Sequence, residues 1–412
     1  NVKKLHDLYK KTEKAEGTGA FRCISRPVYV DGIGTVNNEK DSAVGSGMGR
    51  GDTGVAGRVQ ASFAQIKQTI EEALLDSPGS EIVSLTFDTF GFSRGAAAAR
   101  HFSNEIVRGK QGPLGSFLNN SAKDFSRSFD SQYGSGIKMG FIGLFDTVPS
   151  IAGFTNLGQV TSPIAPGVKL YLDRRFFKDV VHLVARDECR ANFALSRVKP
   201  DHPEYTFPGV HSDIGGSYLD EVEECVLVSP MQALEVSVQT DVATTSIYRD
   251  AARLKSQWVA KGWPANLLEV VTPDALVLPR DNQDRLAPRE KRVYAALQLK
   301  RPVSGKLSRV YLRVMYQLAK EKGVQFIDMP ESDEYAVPDE LKALCNRFVA
   351  GDYSTTAEEE KLLKLKYIHT SANWNHPLGR RDASGIEAVY INAPTADAIR
   401  VQHPHVPDWK LW

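Results

Sequence analysis

Residues 81–107, EIVSLTFDTFGFSRGAAAARHFSNEIV, decide the fold of this chain. Glu81–Phe90 are mostly β-branched and aromatic and predict a strand, and the alanine-rich residues at the end of the stretch predict a helix. Between them Gly91–Gly95, GFSRG, fits the pattern Gly-x-Ser-x-Gly. A strand that turns sharply into a helix at such a serine is the nucleophile elbow of α/β-hydrolases. The stretch therefore predicts an α/β-hydrolase-like fold with Ser93 as the candidate nucleophile.

The surroundings of the serine support this interpretation. Gly91, Gly95 and Ala96–Ala99 are small, as the strained turn requires, so the serine hydroxyl can project above the sheet. The following helix directs its N-terminal N–H groups at the reacting centre, and the backbone N–H of Arg94 is predicted to hold a developing oxyanion. The alternative is a glycine-framed turn in which Ser93 only caps the helix.

Strand-like and helix-like segments alternate on both sides of the elbow, which predicts a mostly parallel sheet flanked by helices. The predicted crossover helix is Arg58–Leu75, after a glycine-rich stretch at Ala43–Gly57. The other predicted strands are Arg26–Val30, ending at Asp31-Gly32, then Lys138–Phe145, Asp179–Ala185 and Tyr205–Val210.

The second half of the chain has a weaker pattern. Residues 229–263 are helical in pattern, and apolar residues from Leu307 to Leu318 predict a helix that ends before Gly323. Residues 264–302 and 330–380 are interpreted as loop-rich insertions or a lid. We therefore expect a catalytic core at 1–228, with the remaining core helices and the insertions at 229–412.

Composition excludes several classes of function. The 412 residues include 51 Lys+Arg and 50 Asp+Glu, a balance that argues against nucleic acid and against long-range attraction to an anionic membrane. The four cysteines form no Cys-x-x-Cys pair and no zinc spacing, so no metal or cofactor is predicted. Apolar stretches are only strand length, and the polar start NVKKLHDLYKKTEKAEG lacks a signal-peptide core, which predicts synthesis in the cytoplasm without a signal peptide.

A nucleophilic serine needs a histidine to take its proton and a carboxylate to orient that histidine. In α/β-hydrolases the acid and then the base follow the serine in sequence, just past strand ends. Asp146 follows the apolar run GFIGLF, and His211 follows YTFPGV, so both satisfy order and placement. The predicted triad is Ser93, His211 and Asp146.

Other residues compete for these roles. Asp88, inside the strand before the elbow, and Asp213, two residues after His211, are rival acids or structural carboxylates. His369 is the main rival base, because it also follows a short apolar run and lies late in the chain. The remaining candidates are predicted to be core histidines, His182 and His101, or surface histidines, His202, His403 and His405.

A glycine-rich loop at Gly45–Gly51, GSGMGRG, invites a phosphate-binding interpretation. No Gly-Lys-Ser/Thr follows it, and its glycines do not fit the Gly-x-Gly-x-x-Gly register. A mobile surface loop near the site is the better interpretation.

Three motifs occurring in order resemble a known family, the Tle1-like phospholipase effectors of the bacterial type VI secretion system, built on uncharacterised-domain family 2235. Gly91–Ala96, GFSRGA, looks like the nucleophile motif of that family, Phe141–Val148 resembles its aspartate motif, and Phe207–Tyr218 its histidine motif. Val180–Phe193 and Leu312–Val324 resemble two further family segments, so the likeness covers most of the chain.

The resemblance implies that Ser93 is the nucleophile, Asp146 the acid and His211 the base. It also implies A1 or A2 cleavage of membrane phospholipids after injection into the periplasm of a target cell, a cognate immunity protein and a VgrG-like spike as partners. Family members carry an early strand ending in a glycine loop before an Asn-Val-x-x-Leu segment, whereas this chain begins at Asn1-Val2. We expect that strand, with the second oxyanion donor, upstream of residue 1.

Two other functions stay open from the sequence. One is hydrolysis of a soluble acyl ester or thioester by the same residues, and the other is a non-catalytic secretion adaptor with a structural Ser93. Tyr367–Trp374 are interpreted either as a lid or membrane-docking surface or as part of the buried core.

Overall fold

The computed structural model describes residues 1–12, 22–32, 54–149, 167–279, 289–375, 377–378, 389–390 and 392–411. The helices are α1 (Val2–Leu8), α2 (Val55–Leu75), α3 (Arg94–Val107), α4 (Gly115–Asn120), α5 (His211–Gly215), α6 (Ser246–Ala260), α7 (Ser308–Glu321), α8 (Asp339–Val349) and α9 (Ala357–Leu362). The strands are β1 (Leu85–Phe92), β2 (Ile137–Phe145), β3 (Val180–Ala185), β4 (Leu195–Ser196), β5 (Glu204–Phe207), β6 (Val222–Leu227), β7 (Gln232–Ser237), β8 (Leu268–Val271), β9 (Leu276–Val277), β10 (Glu290–Val303), β11 (Pro377–Leu378), β12 (Val389–Tyr390) and β13 (Gln402–His403).

A parallel sheet with the strand order β1-β2-β3-β5 forms the centre of the fold. The side chains of β2 alternate between its two faces. Phe141 and Phe145 pack in the cluster that contains α7 and α8, and Ile142 and Leu144 pack in the cluster that contains α3. Helices therefore cover both faces, and the predicted α/β-hydrolase-like architecture is confirmed.

Most predicted elements around the elbow are present. The helix predicted at 58–75 is α2, and the strands predicted before the serine, at 138–145 and at 179–185 are β1, β2 and β3. The last predicted strand is shorter, since β5 ends at Phe207 and the chain then turns at Gly209, whose φ is 121°. The prediction of a strand at Arg26–Val30 is wrong, because these residues join no sheet.

A second, antiparallel sheet corrects the interpretation of residues 229–302. The 14-residue strand β10 lies at its centre and pairs with β6, β7, β8 and β9. The predicted helix at 229–263 is limited to α6, because Gln232–Ser237 is a strand. Residues 264–302 are therefore largely sheet, and not a loop-rich insertion in the parts described.

The last third of the chain packs against the central sheet. The predicted helix is α7, whose Val310, Val314 and Met315 are almost fully buried in the same cluster as Phe141. Residues 330–380, predicted to be loop-rich, contain α8 and α9, and α9 continues into a π-helical turn at Leu363–Tyr367. The division of the chain at residue 228 stays a prediction.

The segment Tyr367–Trp374 alternates between buried and partly buried residues. Tyr367 is 1% exposed and His369 5%, which favours the interpretation as part of the core, and the lid or membrane-docking interpretation stays a prediction. No helix in the described part of the chain combines the length and the apolar character needed to cross a membrane.

Candidate active site

The predicted elbow has the backbone that exposes a nucleophile. Ser93 lies between β1 and α3 with φ 58° and ψ −124°, a region that costs a non-glycine residue about 1–3 kcal/mol. A Cβ atom at Gly91 would lie 2.2 Å from the Gly95 carbonyl oxygen, so only glycine fits there. Gly95 itself has nothing within 4 Å of such an atom, so the predicted steric requirement holds at Gly91 and not at Gly95.

The candidate acid lies directly beside the elbow. Phe92 at the end of β1 is paired with Phe145 at the end of β2, and the Ser93 N–H donates to the Phe145 carbonyl oxygen at 3.1 Å. Asp146 follows, fully buried, and its φ of 43° is also in the left-handed region. The two residues next to the paired strand ends are therefore the predicted nucleophile and the predicted acid.

The candidate base meets the acid in the interior. His211 begins α5 after β5, and its Nδ1 lies 2.5 Å from Oδ2 of Asp146. The Phe92 and Phe193 rings contact the imidazole, with centroids 4.5 and 5.0 Å away. Since an ionised Asp146 only accepts hydrogen bonds, Nδ1 carries the proton and Nε2 is left to act as a base.

Electrostatics keep both members of this pair in the working state. Burial lowers the pKa of His211, the Asp146 carboxylate opposes this, and Arg400 and Arg190 lower the pKa further. Burial would raise the pKa of Asp146, but Arg400 and His211 together hold it well below its usual range. The imidazole is therefore neutral and the carboxylate charged near neutral pH, as a Ser-His-Asp site requires.

Arg400 is a site residue that the sequence analysis missed. Its Nη1 and Nη2 donate to Oδ1 and Oδ2 of Asp146 at 2.7 and 2.8 Å, and the side chain is 5% exposed. The Ala185 N–H donates to Oδ1 as well, at 2.9 Å. No local motif around Arg400 signals this role, because the contact joins residues 254 positions apart.

Two further buried carboxylates hold the backbone that carries His211. Glu188 accepts the His211 N–H at 3.2 Å and forms an ion pair with Arg190 at 2.9 Å. Asp213 accepts the Val210 N–H at 3.0 Å. Hydrogen bonds thus hold both the backbone around His211, the candidate base, and its imidazole ring.

The rival residues His369 and Asp213 pair with each other and not with Asp146. His369 Nδ1 lies 2.7 Å from Oδ1 of Asp213, its N–H donates to Oδ2, and its ring stacks on Tyr218 at 3.6 Å between centroids. Burial raises the pKa of Asp213, an effect that its bonds with His369 oppose. The His369–Asp213 pair is therefore separate from the His211–Asp146 pair.

The remaining candidate acids and bases have structural partners away from Asp146. Two of the histidines among them are buried, although they were predicted to be on the surface. Asp88 accepts a hydrogen bond from the Tyr9 hydroxyl at 2.7 Å, and burial raises its pKa. His202 and His405, predicted to be on the surface, are 5% and 4% exposed, because the Leu172 backbone bonds to both imidazoles. The other candidate histidines are His182, bonded to Glu204, His101, bonded to the Lys169 N–H, and the partly buried His403.

Ser93, Arg94 and His211 line one cavity of about 2040 Å³. Arg94 is the first residue of α3, so its N–H belongs to the N-terminal turn that the oxyanion prediction requires. Among the described residues, no group of three or more His, Cys, Asp or Glu side chains is placed to hold a metal ion. The loop Gly45–Gly51 lies outside the described residues.

Residues 108–240 match the family model described as "T6SS, Phospholipase effector Tle1-like, catalytic domain". The matched region contains Asp146 and His211, and Ser93 precedes it. No curated protein sequence shows significant similarity to the chain.

Among solved structures, that of the Tle1 effector bound to the VgrG spike from the type VI secretion system is similar to the chain with a TM-score of 0.77 and 29% identity, over 97% of this chain and 81% of the other. An uncharacterised protein from Pseudomonas aeruginosa is 26% identical over 40% of this chain and 24% of its own. Its TM-score of 0.22 is too low to indicate a shared fold. The resemblance to Tle1-like effectors that the sequence motifs predict is therefore confirmed.

Proposed function

Starting from the resemblance of the chain to Tle1-like phospholipase effectors, we propose that it hydrolyses a carboxylic ester of membrane phospholipids, with A1 or A2 specificity, through a Ser-His-Asp triad. The observation that supports the mechanism is the 2.5 Å contact of the fully buried Asp146 with His211, a residue that lines the same cavity as Ser93.

The proposed reaction assigns one role to each of these three residues. Ser93 Oγ attacks the acyl carbonyl carbon while Nε2 of His211 takes the serine proton. The imidazolium then protonates the glycerol oxygen as the ester bond breaks, leaving an acyl-enzyme and a lysophospholipid. Water, deprotonated by His211, then attacks the acyl carbon, and the imidazolium returns the proton to Ser93 Oγ as the fatty acid leaves. The Arg94 N–H supports the oxyanion in both tetrahedral intermediates.

Part of the cavity lining supports a lipid substrate. Val59, Ile66 and Ile70 of α2 and Phe87 of β1 line the same cavity as Ser93. Phe102 on α3 also lines it and belongs to the same apolar cluster. These apolar side chains suit an acyl chain, which gains about 0.8 kcal/mol for each CH₂ group that it buries.

The proposal extends to partners and to the place of action. The solved Tle1 effector is bound to a VgrG spike, so we expect this chain to travel on a VgrG-like protein. It would then act on membranes from the periplasm of a target cell, and a cognate immunity protein would protect the producing cell.

The test measures the release of fatty acid and lysophospholipid from phosphatidylethanolamine and phosphatidylglycerol vesicles. We expect Ser93→Ala and His211→Ala to lower the rate at least about a thousandfold, because each removes one member of a triad whose residues act together. His369→Ala, the control for loss of a buried histidine with an aspartate partner, is expected to retain most of the activity per folded molecule.

The alternative functions give different results in the same assay. A wild-type chain that hydrolyses a soluble short-chain ester but no vesicle lipid is an esterase or thioesterase. A wild-type chain that hydrolyses neither, and is not labelled at Ser93 by a fluorophosphonate, is a non-catalytic adaptor. Equal losses in His369→Ala and His211→Ala would refute the assignment of the base.

A further inference from the structure

A second cavity, of about 790 Å³, lies on the other side of the turn that carries the base. Val210 and His369 line it, whereas His211 and Gly215 line the catalytic cavity. We propose that this second cavity binds an amphiphilic anion, a molecule with one alkyl chain and one negatively charged head. The proposal goes beyond ester hydrolysis and does not depend on it.

The apolar part of the cavity suits an alkyl chain. Trp258 and Trp263 stand 5.2 Å apart between centroids, tilted by 42°, and pack with the buried Val228 in one cluster. Leu365 and Ile368 continue the apolar wall. The volume lies within the range of roughly 300–1,000 Å³ that is usual for small-molecule sites.

The indole of Trp263 already contacts two cations. The Arg301 guanidinium and the Lys364 ammonium lie 5.0 and 5.1 Å from the centroid of its ring. Those cations compete with a planar ligand for the indole, while the tilted rings and branched aliphatic side chains offer ordinary apolar contact. The lining therefore favours an alkyl chain over a stacked aromatic ligand.

The charged part of the cavity favours an anion. Five cationic side chains line it against two acidic ones; they are Arg186, Lys261, Arg301, Lys361 and Lys364 against Asp187 and Glu360. Both arginines are neutralised locally, Arg301 by Glu224 at 2.8 Å and Arg186 by Glu360 at 2.7 and 2.8 Å. The uncompensated positive charge therefore comes from the lysines.

These three lysines are held close together. The Lys364 Nζ donates to the Lys261 carbonyl oxygen at 2.7 Å, and Lys361 lies one helical turn before Lys364. Burial lowers the pKa of Lys364, and the positive charge of Lys261 lowers it further. In the described part of the chain neither Lys261 nor Lys361 has an acidic partner, so their positive charges would attract a bound anion.

The composition of the chain provides a direct assay. Three of its five tryptophans, Trp258, Trp263 and Trp374, line this cavity, and the described lining of the catalytic cavity contains none. Intrinsic fluorescence, checked by isothermal titration calorimetry, would be measured on the full chain with Ser93→Ala during titration with decanoate below its micelle-forming concentration. Methyl decanoate, which lacks the negative charge, tests the contribution of the head. Acetate, which lacks the long alkyl chain, tests the contribution of the chain.

We expect saturable binding of decanoate, and binding at least about tenfold weaker for methyl decanoate and for acetate. Replacing the two partnerless lysines, Lys261→Gln with Lys361→Gln, is expected to weaken decanoate binding roughly tenfold. The matched control, Lys320→Gln with Lys342→Gln, removes two exposed charges outside the cavity and leaves binding unchanged.

Three results would overturn the proposal: no saturable signal by either method, equal affinity for decanoate and its methyl ester, or equal losses in the two double variants. These outcomes are independent of vesicle hydrolysis, because every protein in the titration carries Ser93→Ala. A chain without phospholipase activity can bind decanoate here, and an active phospholipase can fail to do so.

Discussion

Replacing Arg400 by methionine should shift the pH dependence of catalysis in a direction that the structure fixes. Arg400 and His211 contact the same carboxylate, Asp146, and the positive charge of the arginine is one cause of the lowered pKa of the histidine. Without that charge the imidazole is protonated more easily. Since only neutral His211 can take the serine proton, the acidic limb of kcat/KM should move to higher pH.

The size of the shift follows from Coulomb's law. The Arg400 guanidinium and the His211 imidazole bond to the same oxygen, at 2.8 and 2.5 Å. With roughly 5 Å between their charges and an effective dielectric constant of about 20, the repulsion is roughly 3 kcal/mol, or at most about two pH units. We expect an observed shift of about one unit, because Asp146 also becomes easier to protonate when it loses its partner.

Stability should fall at the same time. Removing one member of a buried ion pair costs about 3–5 kcal/mol, since the other charge is left uncompensated. Arg309→Met is the control, because Arg309 is equally buried and is paired, with the more exposed Asp220, in another network. It should lower the melting temperature without moving the pH profile, whereas Arg400→Lys should keep the limb near its wild-type position.

The assay is kcat/KM for a soluble short-chain ester from pH 4 to pH 9, with thermal unfolding followed by circular dichroism. A limb that stays in place in Arg400→Met, or moves to lower pH, would refute the role assigned to the arginine charge. The same limb shift in Arg309→Met would show that lost stability alone causes the shift.

Three other substitutions test the site and its support. Gly91→Ala should destabilise the chain by roughly 2–3 kcal/mol because its Cβ meets the Gly95 carbonyl, whereas Gly95→Ala, with open space around it, should melt within a few degrees of wild type. The groups bonded to Glu204 outweigh the effect of burial and lower its pKa from 4.5 to about 2. The ionised Glu204 therefore stabilises the fold above pH 4.5, and this stabilisation is lost as the pH falls towards 2. The free energy of unfolding in urea should therefore change less between pH 6 and pH 3 in Glu204→Gln than in the wild type. Asp213→Asn removes a charged acceptor from the Val210 N–H beside the base and should lower kcat about tenfold with little change in KM, as steady-state kinetics can show.

The sequence carried enough information for the central parallel sheet and for the candidate triad because their signals are local. A strand, a glycine turn and a helix are adjacent in the chain, and Asp146 and His211 each follow an apolar run. Arg400 has no such signal, because its role exists only once the chain has folded its distant segments together. The same limit explains β10, whose strand character comes from pairing with four other strands, and His405, which is buried by a segment far away in sequence.

The distribution of backbone strain links the local and distant parts of the site. Among the described residues, positive φ outside glycine occurs at Ser93, at Asp146 and at Ala398. Two of these are the proposed nucleophile and acid, and the third lies two positions before Arg400, the residue that neutralises the acid. Since strained backbone persists only where the surrounding structure holds it, the bidentate contact of Arg400 stabilises both the charge and the turn of Asp146. The C-terminal segment thus contributes to the candidate active site, and shortening the chain before Arg400 would leave Asp146 buried with one cation fewer.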